Sequence, residues 1–136
     1  MRVYVDSSAL LKRVIAEQES TALLNFLDHH YQQDDLLVTS ALGWVEVSRA
    51  VLRATPSTIA AGDLIDEAMS GIDEHSLSPD VISVARRLQP HELRSLDAIH
   101  LASAVVLDAD VVVTYDERLA DACRRNSLSV ATPGRG

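Results

Sequence analysis

The sequence predicts an α/β protein built on a short-stranded parallel sheet with helices on both faces. Three observations predict it. The clearest apolar runs, R-V-Y-V at 2–5, L-L-V-T at 36–39 and V-V-V-T at 111–114, have strand length. Each is followed by a stretch of helical pattern, not a hairpin turn, which is the order of parallel strands joined by crossovers. Only 4% of the 136 residues are aromatic while 47% are hydrophobic, so the core must be aliphatic, as where helices pack on a β-branched sheet.

Val3 and Val5 mark the first strand, with Asp6 at its carboxyl end. Ser7 or Ser8 is placed to cap a helix over A-L-L-K-R-V-I-A, and Ser20 to cap a second, S-T-A-L-L-N-F-L-D-H-H-Y. The polar run Q-Q-D-D leads into the second strand. Ser40 opens a long helix through about Ala54, stopped by Pro56. Ser57 to about Met69 predicts another, weakened by Gly62, and G-I-D-E-H-S-L a weak third strand. Ser78-Pro79 starts a helix to about Leu88, with proline at a tolerated first-turn position. Ser95 or Asp97 starts the next, A-I-H-L-A-S-A-V-V-L. After V-V-V-T, the stretch D-E-R-L-A-D-A-C-R-R-N is helical and S-L-S-V is a last strand. No repeat, low-complexity segment or linker interrupts the chain. It is expected to be a single domain over 1–136, with 132–136 a loose tail.

Composition limits the function. A net charge of -8 argues against a non-specific binder of polyanions, so any nucleic-acid substrate requires local arginines or a bound metal. Cys123 is the only cysteine. It excludes an internal disulfide and is expected to be a small apolar helix residue. There is no Cys/His zinc spacing. Asp6 breaks the apolar run too early for a signal peptide, and no stretch reaches the roughly 20 apolar residues of a membrane span. The cytosol is the expected compartment.

Four acids sit where folding does not need one. Asp6 and Asp116 follow apolar strands, Asp97 opens an apolar helix, and Glu46 lies in W-V-E-V. Ligands of open α/β sheets bind beyond the carboxyl ends of the strands, where Asp6 and Asp116 fall. Gathered together, the four would repel one another without a cation. Clustered carboxylates are how proteins hold Mg²⁺ or Mn²⁺, which points to metal-dependent phosphodiester chemistry. Each acid also has a plain alternative. Asp6 reads as a helix N-cap, Asp97 and Asp116 as acids favoured by helix N-termini, and Glu46 as a partner for Arg49. Thr114 reads as a β-branched strand residue or as a hydroxyl holding a carboxylate. Ser8 reads as a cap and His100 as an ordinary helix residue, or each, beside Asp6 and one turn after Asp97, as a contact to substrate.

These motifs resemble the PIN-domain ribonucleases, and among them the VapC toxins of bacterial toxin–antitoxin pairs. D-S-S-A-L-L-K at 6–12 resembles the first acidic motif and E-V-S-R-A-V-L at 46–52 the helical Glu motif. S-L-D-A-I-H-L-A-S-A at 95–104 is the most specific match, and V-V-V-T-Y-D-E-R-L-A-D-A at 111–122 resembles the last. Residues 55 to 90 carry no motif. The resemblance implies a PIN-like three-layer α/β/α fold and a Mg²⁺- or Mn²⁺-dependent endoribonuclease, with Asp6, Glu46, Asp97 and Asp116 as its catalytic, metal-binding acids. It also implies a homodimer and a small VapB-like antitoxin that blocks the site.

RNA phosphates need positive contacts, for which Lys12, Arg13, Arg49, Arg53 and Arg94 are the candidates. Leu10, Leu11, Leu23, Leu24, Phe26 and Leu27 read equally as core or as a surface for an antitoxin helix or second subunit. Two other classes remain open. A phosphoacceptor receiver-like signalling domain also places acids at strand ends, but it pairs two acids after the first strand and a Lys after the last, whereas Lys12 is the only Lys here. A non-catalytic interaction module would use the acids to bind a basic partner.

Overall fold

The computed structural model describes residues 1–135. Five strands alternate with helices: β1 (Arg2–Val5), β2 (Leu36–Ser40), β3 (Asp73–His75), β4 (Val111–Val113) and β5 (Ser129–Ala131). The helices are α1 (Ser7–Leu11), α2 (Ser20–Gln32), α3 (Ala41–Ala54), α4 (Thr58–Met69), α5 (Pro79–Ala85), α6 (Ser95–Val106) and α7 (Glu117–Arg125). All strand pairs are parallel, in the order β3-β2-β1-β4-β5.

The pleat sorts alternate strand residues into two cores. Val3, Val5, Leu37 and Val113 face one layer, with Ala9 and Leu10 of α1, Leu23 and Leu27 of α2, Val47 and Val51 of α3 and Ala61 and Ala68 of α4. Tyr4, Val38 and Val112 face the other, with Leu101 and Ala104 of α6 and Leu119, Ala122 and Cys123 of α7. This is the expected helix–sheet–helix sandwich. Leu10, Leu23, Leu101 and Leu119 are fully buried, each stabilising the fold by about 1.5–3 kcal/mol relative to exposure.

The central sheet and long helices follow the sequence reading, and the departures have physical causes. The helix expected over 9–16 ends at Leu11. Beyond it Arg13 Nη1 donates to the carbonyls of Ala68 (2.6 Å) and Ser70 (2.9 Å), binding the chain to the end of α4. Neither Ser7 nor Ser8 caps α1, since Asp6 does. Ser20 does not cap α2 either. Glu19 occupies that position without a side-chain cap, and Ser20 Oγ accepts from the Glu17 N–H at 2.9 Å. The helix α5 stops at Ala85, short of Leu88.

The tail expected to be loose makes contacts through Arg135. Its Nε is 2.9 Å from Glu19 Oε1, its Nη1 donates to Tyr115 O at 3.1 Å, and Pro133 O accepts from the Tyr115 hydroxyl at 2.7 Å. Gly136 lies outside the described residues. The leucine surface offered to a partner is mostly core: Leu10, Leu23 and Leu27 are buried, Leu11 and Phe26 pack against them, and of the six only Leu24 is exposed. Among the described residues no helix is long and apolar enough to cross a membrane.

Candidate active site

Strand order sets the place of the site. The chain runs from β1 outward through β2 to β3, then returns to lay β4 on the other side of β1. The carboxyl ends of β1 and β4 therefore flank the point where the order reverses, the usual position for a ligand in an open α/β sheet. Asp6 leaves β1 there, its N–H donating to Val113 O at 3.1 Å, and Asp116 leaves β4.

Asp6 caps α1. It is 3% exposed. Oδ1 accepts from the Ala9 N–H (3.1 Å) and Ser8 Oγ (2.6 Å), and Oδ2 accepts from Thr114 Oγ1 (2.6 Å). Burial raises its pKa, opposed by His100 and by the Ser8 and Thr114 hydroxyls. Thr114 is thus a carboxylate holder as well as a strand residue. It also accepts the Asp116 N–H at 3.0 Å, tying the first acid to the backbone of the fourth.

Glu46, midway along α3, is half-buried and does not pair with Arg49. Ser7 Oγ (3.0 Å) and His100 Nε2 (2.5 Å) both reach its Oε1. Burial acts to raise its pKa, but the His100 and Ser7 contacts outweigh it and hold the carboxyl below its ordinary range. Asp97 stands in the first turn of α6. Among the described residues no hydrogen bond reaches its carboxylate, and its pKa is raised by partial burial and by the charges of Asp116 and Glu46, with Arg118 and His100 opposing. Asp116 caps α7, its Oδ1 accepting from the N–H groups of Arg118 (2.9 Å) and Leu119 (3.3 Å). Both plain readings, cap and acid at a helix start, are therefore true of Asp6 and Asp116 without displacing the other.

The four acids are brought together at one edge of the sheet but do not close into a shell. Among the described residues no three His, Cys, Asp or Glu side chains are grouped tightly enough to form a ready-made metal site. Among the described residues, no hydrogen bond reaches Asp97 or the second oxygens of Glu46 and Asp116. A hollow of about 380 Å³ opens beside Asp116 alone of the four acids, its charged lining being Asp116, Glu117, Asp121, Arg124 and Arg135.

Two of the five cationic candidates are committed elsewhere. Lys12 is buried between Glu17 (2.6 Å) and Glu19 (3.2 Å), 4.7 Å from the Tyr115 ring centroid. Arg13 holds α4 as described. Arg49, Arg53 and Arg94 are exposed. The burial of Lys12 also removes the lysine that a receiver-like site would need. Sequence reasoning missed the Tyr4–His100 pair, Ser7 as a holder of Glu46, and Arg118 as the cation beside Asp97. His100 stands three residues after Asp97, the spacing of a shared helix face, and that was the available signal. Tyr4 carried none, because its hydroxyl lies in an apolar strand whose partners come from α3 and α6.

Comparison with known proteins agrees with this geometry. The PIN domain family matches residues 3–125. Ribonuclease VapC47 of Mycobacterium tuberculosis is 40% identical over 136 residues, covering 97% of both chains. Ribonuclease VapC46 of the same species is 38% identical over 133 residues, covering 96% of this chain and 97% of its own. Among solved structures, VapBC2 of Rickettsia felis bound to a promoter DNA fragment superposes with a TM-score of 0.78 at 12% identity, over 96% of this chain and 98% of that one. VapC20 of Mycobacterium tuberculosis, a sarcin-ricin loop cleaving toxin, superposes with a TM-score of 0.67 at 14% identity, over 88% of this chain and 94% of that one. With its sheet order, its acids at the β1/β4 edge and relatives that match it almost end to end, the chain belongs to the PIN-domain family.

Proposed function

We propose that the protein is a metal-dependent endoribonuclease acting in the cytosol as the toxin of a toxin–antitoxin pair. The observation that carries this reading is Asp97, a partly buried carboxylate that no hydrogen bond reaches among the described residues, its pKa raised first by burial and then by the charges of Asp116 and Glu46. Folding alone gives no reason to keep three acids in that relation. A hard cation does, and the oxygen donors present suit Mg²⁺ or Mn²⁺. Mg²⁺ is commonly bound through one or two carboxylates while keeping several waters, which accords with acids that approach one another without forming a closed shell.

Asp97, Glu46 and Asp116 offer the oxygens that no hydrogen bond uses, and Asp6 is the buried acid that Thr114 and Ser8 hold in place. A bound Mg²⁺ or Mn²⁺ supplies Lewis acidity toward a phosphodiester and acidifies water. Arg118 lies beside Asp97 and is exposed, placed to meet a phosphate. Arg49, Arg53 and Arg94 offer further backbone contacts around an otherwise anionic surface. The relatives' names, ribonucleases VapC47 and VapC46, support RNA as substrate. The toxin–antitoxin complexes among the structural neighbours support an antitoxin partner, and a homodimer accords with the same family.

The test is cleavage of total RNA by the purified chain. EDTA should abolish it, Mn²⁺ or Mg²⁺ should restore it, and Asp97→Asn should remove it in both metals. Cleavage that resists the chelator, or that survives Asp97→Asn, refutes the reading. Full activity in Asp6→Ala would favour the non-catalytic interaction module.

A further inference from the structure

His100 is buried, 4% exposed, yet both of its ring nitrogens are engaged. Nε2 is 2.5 Å from Glu46 Oε1 and Nδ1 is 2.8 Å from the Tyr4 hydroxyl. Tyr4 is fully buried, and its hydroxyl reaches Ser40 Oγ at 3.0 Å. Ser40 is the N-cap of α3, the helix that carries Glu46. The contacts therefore form a ring: Tyr4 on β1, His100 on α6, Glu46 on α3, and back through Ser40 at the start of α3.

Proton accounting fixes the polarity of this ring. Glu46 as a carboxylate only accepts, so the proton between it and His100 belongs to Nε2. If the Tyr4 hydroxyl donates to Ser40, Nδ1 donates to Tyr4. If Ser40 donates to Tyr4, Tyr4 donates to Nδ1. In both arrangements Nε2–H points at Glu46, and Tyr4 and Ser40 hold the imidazole in that orientation.

We propose that His100 is a positioning residue for Glu46, clamping Oε1 together with Ser7 and so leaving Oε2 for the divalent ion. This rests on the metal reading of the site. It goes beyond it by assigning a role to a residue outside the four acids. A buried imidazole needs a partner for each ring nitrogen, and the partner the fold gives Nε2 is not a backbone carbonyl but the same carboxylate oxygen that Ser7 holds. Ligand-orienting partners of this kind typically change metal affinity by 10–100-fold when replaced.

The experiment compares Mn²⁺ binding, measured by calorimetry and by the free-Mn²⁺ electron paramagnetic resonance signal, in wild type, His100→Asn, His100→Gln and Tyr4→Phe. Asparagine presents its amide where Nδ1 stood and keeps a partner for Tyr4, but is too short for Glu46. Glutamine places an amide N–H near the position of Nε2. His100→Asn should weaken Mn²⁺ binding by about 10–100-fold, His100→Gln should recover most of that loss, and Tyr4→Phe should fall between them. Unchanged affinity in folded His100→Asn protein, or no recovery in His100→Gln, overturns the proposal. Should His100→Asn fail to fold, Tyr4→Phe decides, and wild-type affinity there overturns it. A wild-type protein that takes up no Mn²⁺ ends the metal reading and this proposal together. Binding by wild type with no effect of the variants ends this one alone.

Discussion

Thr114→Val isolates the contact that joins the first acid to the last. Thr114 is fully buried, and valine keeps its shape while deleting Oγ1. The change removes a 2.6 Å bond to Asp6 Oδ2 and the acceptor of the Asp116 N–H at 3.0 Å. A hydrogen bond to a charged group contributes about 1.5–3 kcal/mol, and a part-buried N–H left without an acceptor costs about 1 kcal/mol more. Where Asp6 is ionised the expected loss is about 2.5–4 kcal/mol, a fall of roughly 10 °C in Tm for a domain of this size. The loss should also depend on pH. Burial holds the Asp6 pKa above its unfolded value, so its ionisation costs stability as pH rises through the folded pKa. Thr114 stabilises the ionised form, and deleting it raises that pKa further. The deficit of the variant should therefore be largest above the native Asp6 titration and shrink below it toward the roughly 0.5–1.5 kcal/mol of a neutral hydrogen bond. Urea denaturation at several pH values measures this. A deficit under about 1 kcal/mol on the high-pH side of the titration, or one that is flat with pH, refutes the assignment.

Gly43→Ala drives a Cβ into Thr39 Oγ1, itself buried and without a hydrogen-bond partner among the described residues, and should cost about 1–3 kcal/mol in chemical denaturation. Cys123 is buried and its thiol pKa is pushed up to about 12, first by desolvation and then by the Asp6 charge; iodoacetamide at pH 8 should modify it only in denatured protein, as mass spectrometry would show. Lys12→Met leaves Glu19 without one of its two cations and removes the contact over Tyr115, so Tm should fall by several degrees, whereas an unchanged Tm would mark the buried lysine as energetically idle. Mg²⁺ at about 100 times its Kd should stabilise the native state by about 2.7 kcal/mol in thermal melts, and Asp97→Asn should abolish that shift while leaving the metal-free melting temperature unchanged or higher.

The parts of the fold that sequence made readable are those where one side chain decides locally. Proline at 56 and 79, serine at 40 and 57, and the V-V-V-T run each act within a turn or a strand, and the elements lie where those residues place them. The acids were readable for a related reason: an Asp at the end of an apolar run conflicts with its neighbours, and the conflict is visible in one dimension. What stayed hidden depends on partners distant in the chain. His100 seemed an ordinary helix residue because its partners are 54 and 96 positions away. Arg13 seemed a free cation because the end of α4 lies 55 positions away; Lys12 is a different case, with Glu17 and Glu19 five and seven positions on and in reach because α1 stops at Leu11.

The same separation explains why a protein of net charge -8 can tolerate its site. Asp6 and Asp97 are both raised in pKa mainly by burial, so the fold keeps acids where desolvation disfavours their charged form. It offsets that cost unevenly. Asp6 receives three hydrogen bonds and Glu46 two, while Asp97, between Glu46 and Asp116 in electrostatic terms, receives none. A site optimised for stability alone would relieve Asp97 first, since an asparagine there would remove two repulsions and lose no hydrogen bond. Asp97 does gain the N-terminal dipole of α6 and the charge of Arg118, but among the described residues it is the one of the four acids that no hydrogen-bond donor holds.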